Sequence, residues 1–130
     1  MVPDVKGAAM VARRVLIVDD VAQVRAELRT LLPLAGDIQI VGEAANGQEA
    51  VHQADALQPD VVLLDLEMPV MNGYKAARQI KDRWPACRVI ALTIHGYPEA
   101  FEKAAQCGVD AFMVKGAPLA SLVQEILKKE

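Results

Sequence analysis

Four short apolar runs, each closed by a polar residue of different chemistry, constrain this chain more than any other feature. They are Val15-Leu16-Ile17-Val18, closed by Asp19-Asp20; Val61-Val62-Leu63-Leu64, closed by Asp65; Val89-Ile90-Ala91-Leu92, closed by Thr93; and Ala111-Phe112-Met113-Val114, closed by Lys115. Runs this short, rich in β-branched residues and without polar alternation, are expected to be strands buried on both faces, as in a parallel sheet. Ligands of open parallel sheets bind just outside the carboxyl ends of the strands. Three carboxylates, a hydroxyl and an ammonium should therefore meet at one edge.

The stretches between the runs read as helices. Val21, Val24, Leu28, Leu31 and Leu32 recur at helical spacing, with Gln23, Arg25, Glu27 and Arg29 on the other side, and the pattern stops near Pro33 and Gly36. Ala50, Val51, Ala54 and Leu57 mark a second helix, ending before Pro59 because the residue preceding proline avoids the helical region. Residues 73–84 form a third, with Tyr74, Ala77, Ile80 and Trp84 along one side. Phe101, Ala104 and Ala105 belong to a short fourth helix closed by Gly108, and Pro118 opens a fifth whose stripe is Leu119, Leu122, Val123, Ile126 and Leu127.

A further strand, Ile38, Ile40 and Gly42 alternating with Gln39, Val41 and Glu43, is partly polar and suits a sheet edge; no candidate site residue lies at its end. Strand and helix thus alternate five times, the pattern of an α/β doubly wound parallel sheet with helices on both faces. Five strands suit the flavodoxin-like order 2-1-3-4-5, which makes Asp19, Asp20 and Asp65 neighbours across the switch point.

At 130 residues one domain is expected, spanning residues 14–130 behind a leader of residues 1–13. Met10-Val11-Ala12-Arg13-Arg14 would itself serve as a start, which suggests that the first nine residues are an extension. No apolar stretch is long enough for a membrane span, and the amino terminus lacks the charged-then-apolar pattern of a secretory signal, so a cytoplasmic protein is expected. Cys87 and Cys107 are not at metal-ligand spacing and are expected to be free thiols. With 14 Lys and Arg against 17 Asp and Glu, and no basic helix face, direct nucleic-acid binding by this segment is not expected.

Three carboxylates in one crevice repel one another and require a proton or a cation. Magnesium suits them, because it takes hard oxygen ligands, keeps several waters and commonly uses one or two carboxylates with phosphate oxygens. Asp20 and Asp65 are candidates for direct ligation, with Asp19 holding a metal-bound water and a backbone carbonyl of the following loop completing the set. Asp65, at the end of a buried strand and with an ordinary pKa of about 3.9, is an ionised nucleophile that needs no separate base. An aspartyl phosphate is the expected product, with Lys115 neutralising phosphoryl oxygens and Thr93 donating its hydroxyl to one of them.

Leu16 to Asp20, the segment Asp65-Leu66-Glu67-Met68-Pro69-Val70-Met71-Asn72-Gly73, Ala91 to Thr93, and Val114-Lys115 together resemble the receiver domain of two-component response regulators. The resemblance implies that Asp65 accepts phosphate from a sensor histidine kinase or a phosphotransfer protein. It implies that Asp19 and Asp20 are the acidic pair, that Glu67 offers its backbone carbonyl to Mg2+, and that Thr93 and Lys115 contact the phosphate. Phe112, three positions before the lysine, stands where the family has a switch aromatic that moves when the threonine engages phosphate. The Phe112 ring itself is equally compatible with plain core packing.

Glu67 and His95, each two positions beyond a site residue, stand where the family tunes the lifetime of the phosphate, and Ile94 is bulkier than the residue usual at its position. The ending Lys115-Gly116-Ala117-Pro118 resembles receivers that precede a helix-turn-helix output domain. A downstream output domain or effector protein is the implied partner, and a phosphorylation-dependent homodimer is a further expectation. Two other functions compete. A magnesium-dependent phosphohydrolase or phosphomutase would commonly carry a second aspartate where Glu67 stands, together with an inserted cap for which this chain has no room. A pseudo-receiver acting only as an interaction module would not need the full set of acids, hydroxyl and lysine.

Overall fold

The computed structural model describes residues 11–94 and 96–129. Among them the chain runs β1 (Arg13–Val18), α1 (Ala22–Ala35), β2 (Ile38–Ala44), α2 (Gly47–Leu57), β3 (Val61–Asp65), α3 (Gly73–Arg83), β4 (Arg88–Thr93), α4 (Pro98–Gln106), β5 (Ala111–Val114) and α5 (Leu119–Leu127). The strands form one parallel sheet in the order β2-β1-β3-β4-β5. This is the expected α/β architecture and strand order. β1 takes in Arg13, one residue inside the expected leader; residues 1–10 lie outside the described residues.

Side-chain alternation along the central strands divides the core in two. Leu16, Val18, Val62 and Leu64 pack with Ala50 and Ala54 of α2 and Ala76, Ala77 and Ile80 of α3. Val15, Ile17, Val61 and Leu63 pack on the other face with Leu32 of α1 and Leu122, Val123 and Ile126 of α5. A third, smaller cluster joins Leu66 and Ala91 to Ala104 of α4, with Phe112 against it. The alanines on α2 and α3 let those helices sit close to the sheet, so β1 and β3 are sealed on both sides.

Three details depart from the expectations. β5 is only half-buried, and Val114 is exposed, because an edge strand has a neighbour on one side only. Val21 precedes α1 as its N-cap, and Leu31 is exposed, since Leu28 and Leu32 already occupy the arc of the helix that meets the core. The alternation of β2 breaks at a bulge, where Val15 faces Ile40 but Leu16 faces Gly42, leaving Val41 as the extra residue. Ile38 and Ile40 pack on the α1 and α5 side, whereas Ala44 packs on the α2 and α3 side. The bulge therefore turns Glu43, opposite Ile17, toward α1.

Candidate functional site

β1 and β3 are adjacent and in register, so their carboxyl ends bring Asp19 and Asp65 to the same level of the sheet. Both are buried, at 2% and 6% exposure, while Asp20 is exposed. One carboxylate oxygen from each of Asp19, Asp20 and Asp65 lies within 4.8 Å of the others. Two buried acids give the cluster fixed geometry, and the exposed third leaves it open to solvent.

Backbone groups hold the acids in place. Asp19 accepts from the Val21 N–H at 2.9 Å through Oδ1, and its own N–H donates to the Ala44 carbonyl at 3.0 Å. Asp65 Oδ1 accepts from the Glu67 N–H at 3.1 Å, which folds the chain after β3 back around the carboxylate. Gly73 closes that loop: a Cβ there would stand 2.2 Å from the Asp65 carbonyl oxygen, so the start of α3 can rest on the end of β3 only without a side chain. Its N–H donates to the Leu66 carbonyl at 3.0 Å.

Lys115, just past β5, reaches across the end of β4. Its Nζ donates to Asp19 Oδ2 at 2.7 Å and lies 3.6 Å from Asp65 Oδ2. Its N–H donates to the Thr93 carbonyl at 2.7 Å, which ties the lysine to the residue ending the neighbouring strand. Thr93 is buried at 2% exposure.

Electrostatics follow from the geometry. Burial pushes the Asp65 carboxyl up to about 6; the Glu67 N–H and the Lys115 charge oppose the shift, and the charges of Asp19 and Asp20 reinforce it. Burial would pull the Lys115 ammonium down, but its hydrogen bond to Asp19 and the charges of Asp65 and Asp19 hold it above its usual value. The site is thus short of positive charge. Hard carboxylate oxygens at this spacing, one of them open to water, fit a magnesium ion in donor type and charge.

The structure brings Asp19, Asp20, Asp65 and Lys115 together directly. Thr93 ends β4 beside β3, where Leu92 is the register partner of Asp65. The Glu67 side chain is exposed, and its N–H contacts the site. An open cleft of about 470 Å3, walled by Asp20, Glu67, Met68, Asn72, Tyr74 and Lys103, leads to the acids from outside. Phe112 lies in β5 opposite Ala91 and stacks on Phe101 of α4, ring centroids 5.1 Å apart and planes 2° from parallel. His95 lies outside the described residues. Among the described residues no helix is long and apolar enough to cross a membrane. Cys87 and Cys107 are free thiols, and burial pushes Cys87 up to about 11.

Two contributors escape the sequence reading. Gly73 carries the fold of the loop under Asp65, a role that only the close approach of two backbones reveals. Arg25, on α1, donates through Nη1 to the Asp19 carbonyl at 2.6 Å, although helical spacing alone assigns it to a solvent face.

Residues 15–127 match the family model described as response regulator receiver domain. The chain is 38% identical over 113 residues to response regulator GacA of Pseudomonas viridiflava, covering 87% of this chain and 53% of that protein. It is 33% identical over 101 residues to the nitrate/nitrite response regulator protein NarL of Escherichia coli K12, covering 78% and 47%. The chain therefore spans about half the length of these curated relatives. Among solved structures it superposes on a DNA-binding response regulator of the LuxR family from Staphylococcus aureus with a TM-score of 0.83 and 32% identity, covering 88% of this chain and 95% of that one.

Proposed function

This chain belongs to the response regulator receiver domain family, and from that premise we propose that Asp65 is the phosphoacceptor of a phosphorylation-dependent switch. The observation that carries the assignment is the position of Asp65, buried at the end of β3 with Lys115 at 3.6 Å and an open cleft beside it. The donor is a phosphohistidine on a sensor histidine kinase or a phosphotransfer protein. An Asp65 carboxylate oxygen attacks the phosphorus, the bond from phosphorus to the histidine nitrogen breaks, and the nitrogen keeps the electron pair. At neutral pH a carboxyl group raised to about 6 is still mostly ionised, so no base is required.

Asp19, Asp20 and Asp65, with the Glu67 backbone carbonyl, would hold Mg2+. When bound, the ion supplies positive charge to the phosphoryl oxygens. Lys115, already tied to Asp19, offers its ammonium to the same group and loses little freedom in doing so. Thr93 contacts the phosphoryl group from β4, and Phe112 responds from β5, biased by whether Thr93 is engaged. The chain takes part chemically only in its own phosphorylation and dephosphorylation. Its partners are the kinase or phosphotransfer protein and a downstream output domain or effector, in keeping with the LuxR-family likeness. Phosphorylation favours a homodimer, and the setting is cytoplasmic.

Incubation with MgCl2 and a small acyl phosphate tests the assignment. Mass spectrometry should find one phosphoryl group per chain, dependent on Mg2+ and absent from Asp65→Asn. Beryllofluoride should reproduce the phosphorylated amide spectrum. Amide spectra are the better monitor, because Trp84 lies at the end of α3, beside the amino ends of the strands. Stoichiometric labelling of Asp65→Asn, or turnover of many phosphate esters, would overturn the reading.

A further inference from the structure

We propose that Arg25 is a positioning residue for the acidic pair: anchored on Glu43, it grips the peptide group joining Asp19 to Asp20 and so fixes both carboxylates against Asp65. The inference rests on the reading of those acids as a magnesium site and adds a residue to it.

The carbonyl that Arg25 takes at 2.6 Å belongs to Asp19, and the other half of the same rigid peptide plane is the N–H of Asp20. Holding one atom of that plane orients the next residue. Asp19 itself is held at its N–H by Ala44, at Oδ1 by Val21 and at Oδ2 by Lys115. Asp20 is exposed and next in sequence, so its placement depends on the plane that Arg25 orients.

The guanidinium is built in rather than laid on the surface. Its Nε donates to Glu43 Oε1 at 3.0 Å, leaving Nη1 for the carbonyl, and the Arg25 side chain is 18% exposed. The fork geometry of arginine lets one side chain serve both acceptors, which an ammonium cannot do from one fixed position. Glu43 is offered to α1 by the bulge in β2, since an unbroken strand would put it on the opposite face with the α2 and α3 cluster. Arg29 also pairs with Glu43, and the two guanidinium groups hold its carboxyl below the usual range against the push of burial. The edge strand therefore contributes to the site indirectly.

Magnesium titration of the full chain by calorimetry, with thermal unfolding and amide spectra recorded in parallel, tests this. Arg25→Met should weaken Mg2+ binding by roughly tenfold, the scale of lost outer-shell support, and shift the Asp20 amide before any metal is added. Arg25→Lys should recover part of the affinity. Glu43→Gln should weaken binding by a smaller factor, about threefold, because Arg25 keeps an amide oxygen to donate to but loses the charge that anchors it. Arg29→Met, which removes a partner of Glu43 alone, should stay within about twofold. A purely structural clamp would lower the unfolding temperature and leave both the dissociation constant and the Asp20 amide unchanged. If wild type binds Mg2+ and Arg25→Met binds it within twofold, the proposal is overturned. If Arg25→Met does not fold, Arg25→Lys and Glu43→Gln decide by the same criterion. If wild type takes up no Mg2+, the reading of the acids fails first and this inference falls with it.

Discussion

The two ends of the sheet use the same charged residue types to opposite effect. At the amino ends of the strands the charged groups around Asp60 and Asp110 meet partners. Asp60 accepts from the Arg14 N–H at 2.8 Å, and the Arg14 guanidinium donates to the carbonyls of Gln58 and Leu57, both at 2.8 Å. Lys81 donates to Asp110 at 2.8 Å and to the carbonyls of Cys87 and Pro85, while Asp110 also takes the Val89 N–H at 2.8 Å. At the carboxyl ends, three carboxylates cluster together, and among the described residues the Lys115 ammonium pairs with two of them, Asp19 and Asp65. Among the described residues every buried side-chain nitrogen and oxygen has a hydrogen-bond partner, so the cost there is one of charge rather than of missing bonds. One end is arranged for stability, and the other gives up stability to create affinity for a cation and a phosphoryl group.

The sharpest way to break the functional end is through backbone rather than charge. Gly73→Ala places a methyl 2.2 Å from the Asp65 carbonyl oxygen and 2.6 Å from Leu66 Cα, and neither can rotate away. The start of α3 must lift off the end of β3. We expect a loss of roughly 3 kcal/mol in denaturant unfolding, at the upper end for an overpacked site. Phosphorylation by the acyl phosphate should fall with it, since the Glu67 N–H that orients Asp65 moves too. A variant with wild-type stability and labelling rate would show that the close approach is unimportant.

Removing the charge at position 65 should have the opposite sign. In the folded chain burial pushes the Asp65 carboxyl up to about 6, from an ordinary value just below 4. Well below about pH 4 the group is protonated whether the chain is folded or not, and its burial adds no charge cost. Between about pH 4 and 6 the folded form holds a proton that the unfolded form has lost, so stability falls as pH rises, and above about pH 6 the full cost persists. Asp65→Asn should therefore be more stable than wild type at pH 7, by roughly 2 to 3 kcal/mol, and should lose the decline between pH 4 and 6. Added MgCl2 should narrow the gap by stabilising wild type more than the variant. Equal unfolding curves at pH 7 without magnesium would mean that the carboxyl end bears no electrostatic cost.

The stabilising end is tested by Lys81→Met. Its ammonium serves one carboxylate and two carbonyls, so its removal strands the two carbonyls and leaves Asp110 with the Val89 N–H alone. The Lys81 side chain is 18% exposed and that of Asp110 31%, and solvent reaching the stranded groups limits the loss to about 2 kcal/mol. Phosphorylation of Asp65 in the folded protein should be unchanged, because this network lies at the opposite edge. A labelling defect without a stability loss would contradict the division of labour between the two ends.

How much of this was legible in the sequence follows from the range of each interaction. The central strands and their polar ends could be read because a strand buried on both faces has nowhere to put a polar residue except past its end. The strand order followed from the connectivity, and with it the meeting of Asp19, Asp20 and Asp65. The bulge at Val41 was invisible, since a single extra residue in an edge strand leaves an apolar pattern almost intact. With the bulge went the facing of Glu43 and the role of Arg25, which on helical spacing alone belonged to the solvent side of α1. The exposure of Leu31 was hidden for a related reason: several leucines compete for one arc, and only the packed sheet decides which one enters.

The smallest effect comes from the loop between the acids and α3, where Val70 has φ of +69°. A β-branched side chain in the left-handed region crowds its own carbonyl, and the strain is of the order of 1 to 2 kcal/mol. Val70 is 75% exposed, so no packing compensates. The neighbouring constraints that hold it there are the Glu67 N–H on Asp65 and the Gly73 N–H on the Leu66 carbonyl. Val70→Gly relieves the strain but adds backbone freedom to the unfolded chain, which offsets part of the gain. A net stabilisation of about 0.5 to 1 kcal/mol is expected in urea unfolding. Val70→Ala keeps the Cβ and much of the strain, so it should gain less. If glycine instead destabilises the protein while leaving Mg2+ affinity intact, the loop conformation is not strained. If it stabilises the fold and weakens Mg2+ binding, the strained valine holds the Glu67 carbonyl in place, and the functional end of the sheet stores conformational as well as electrostatic cost.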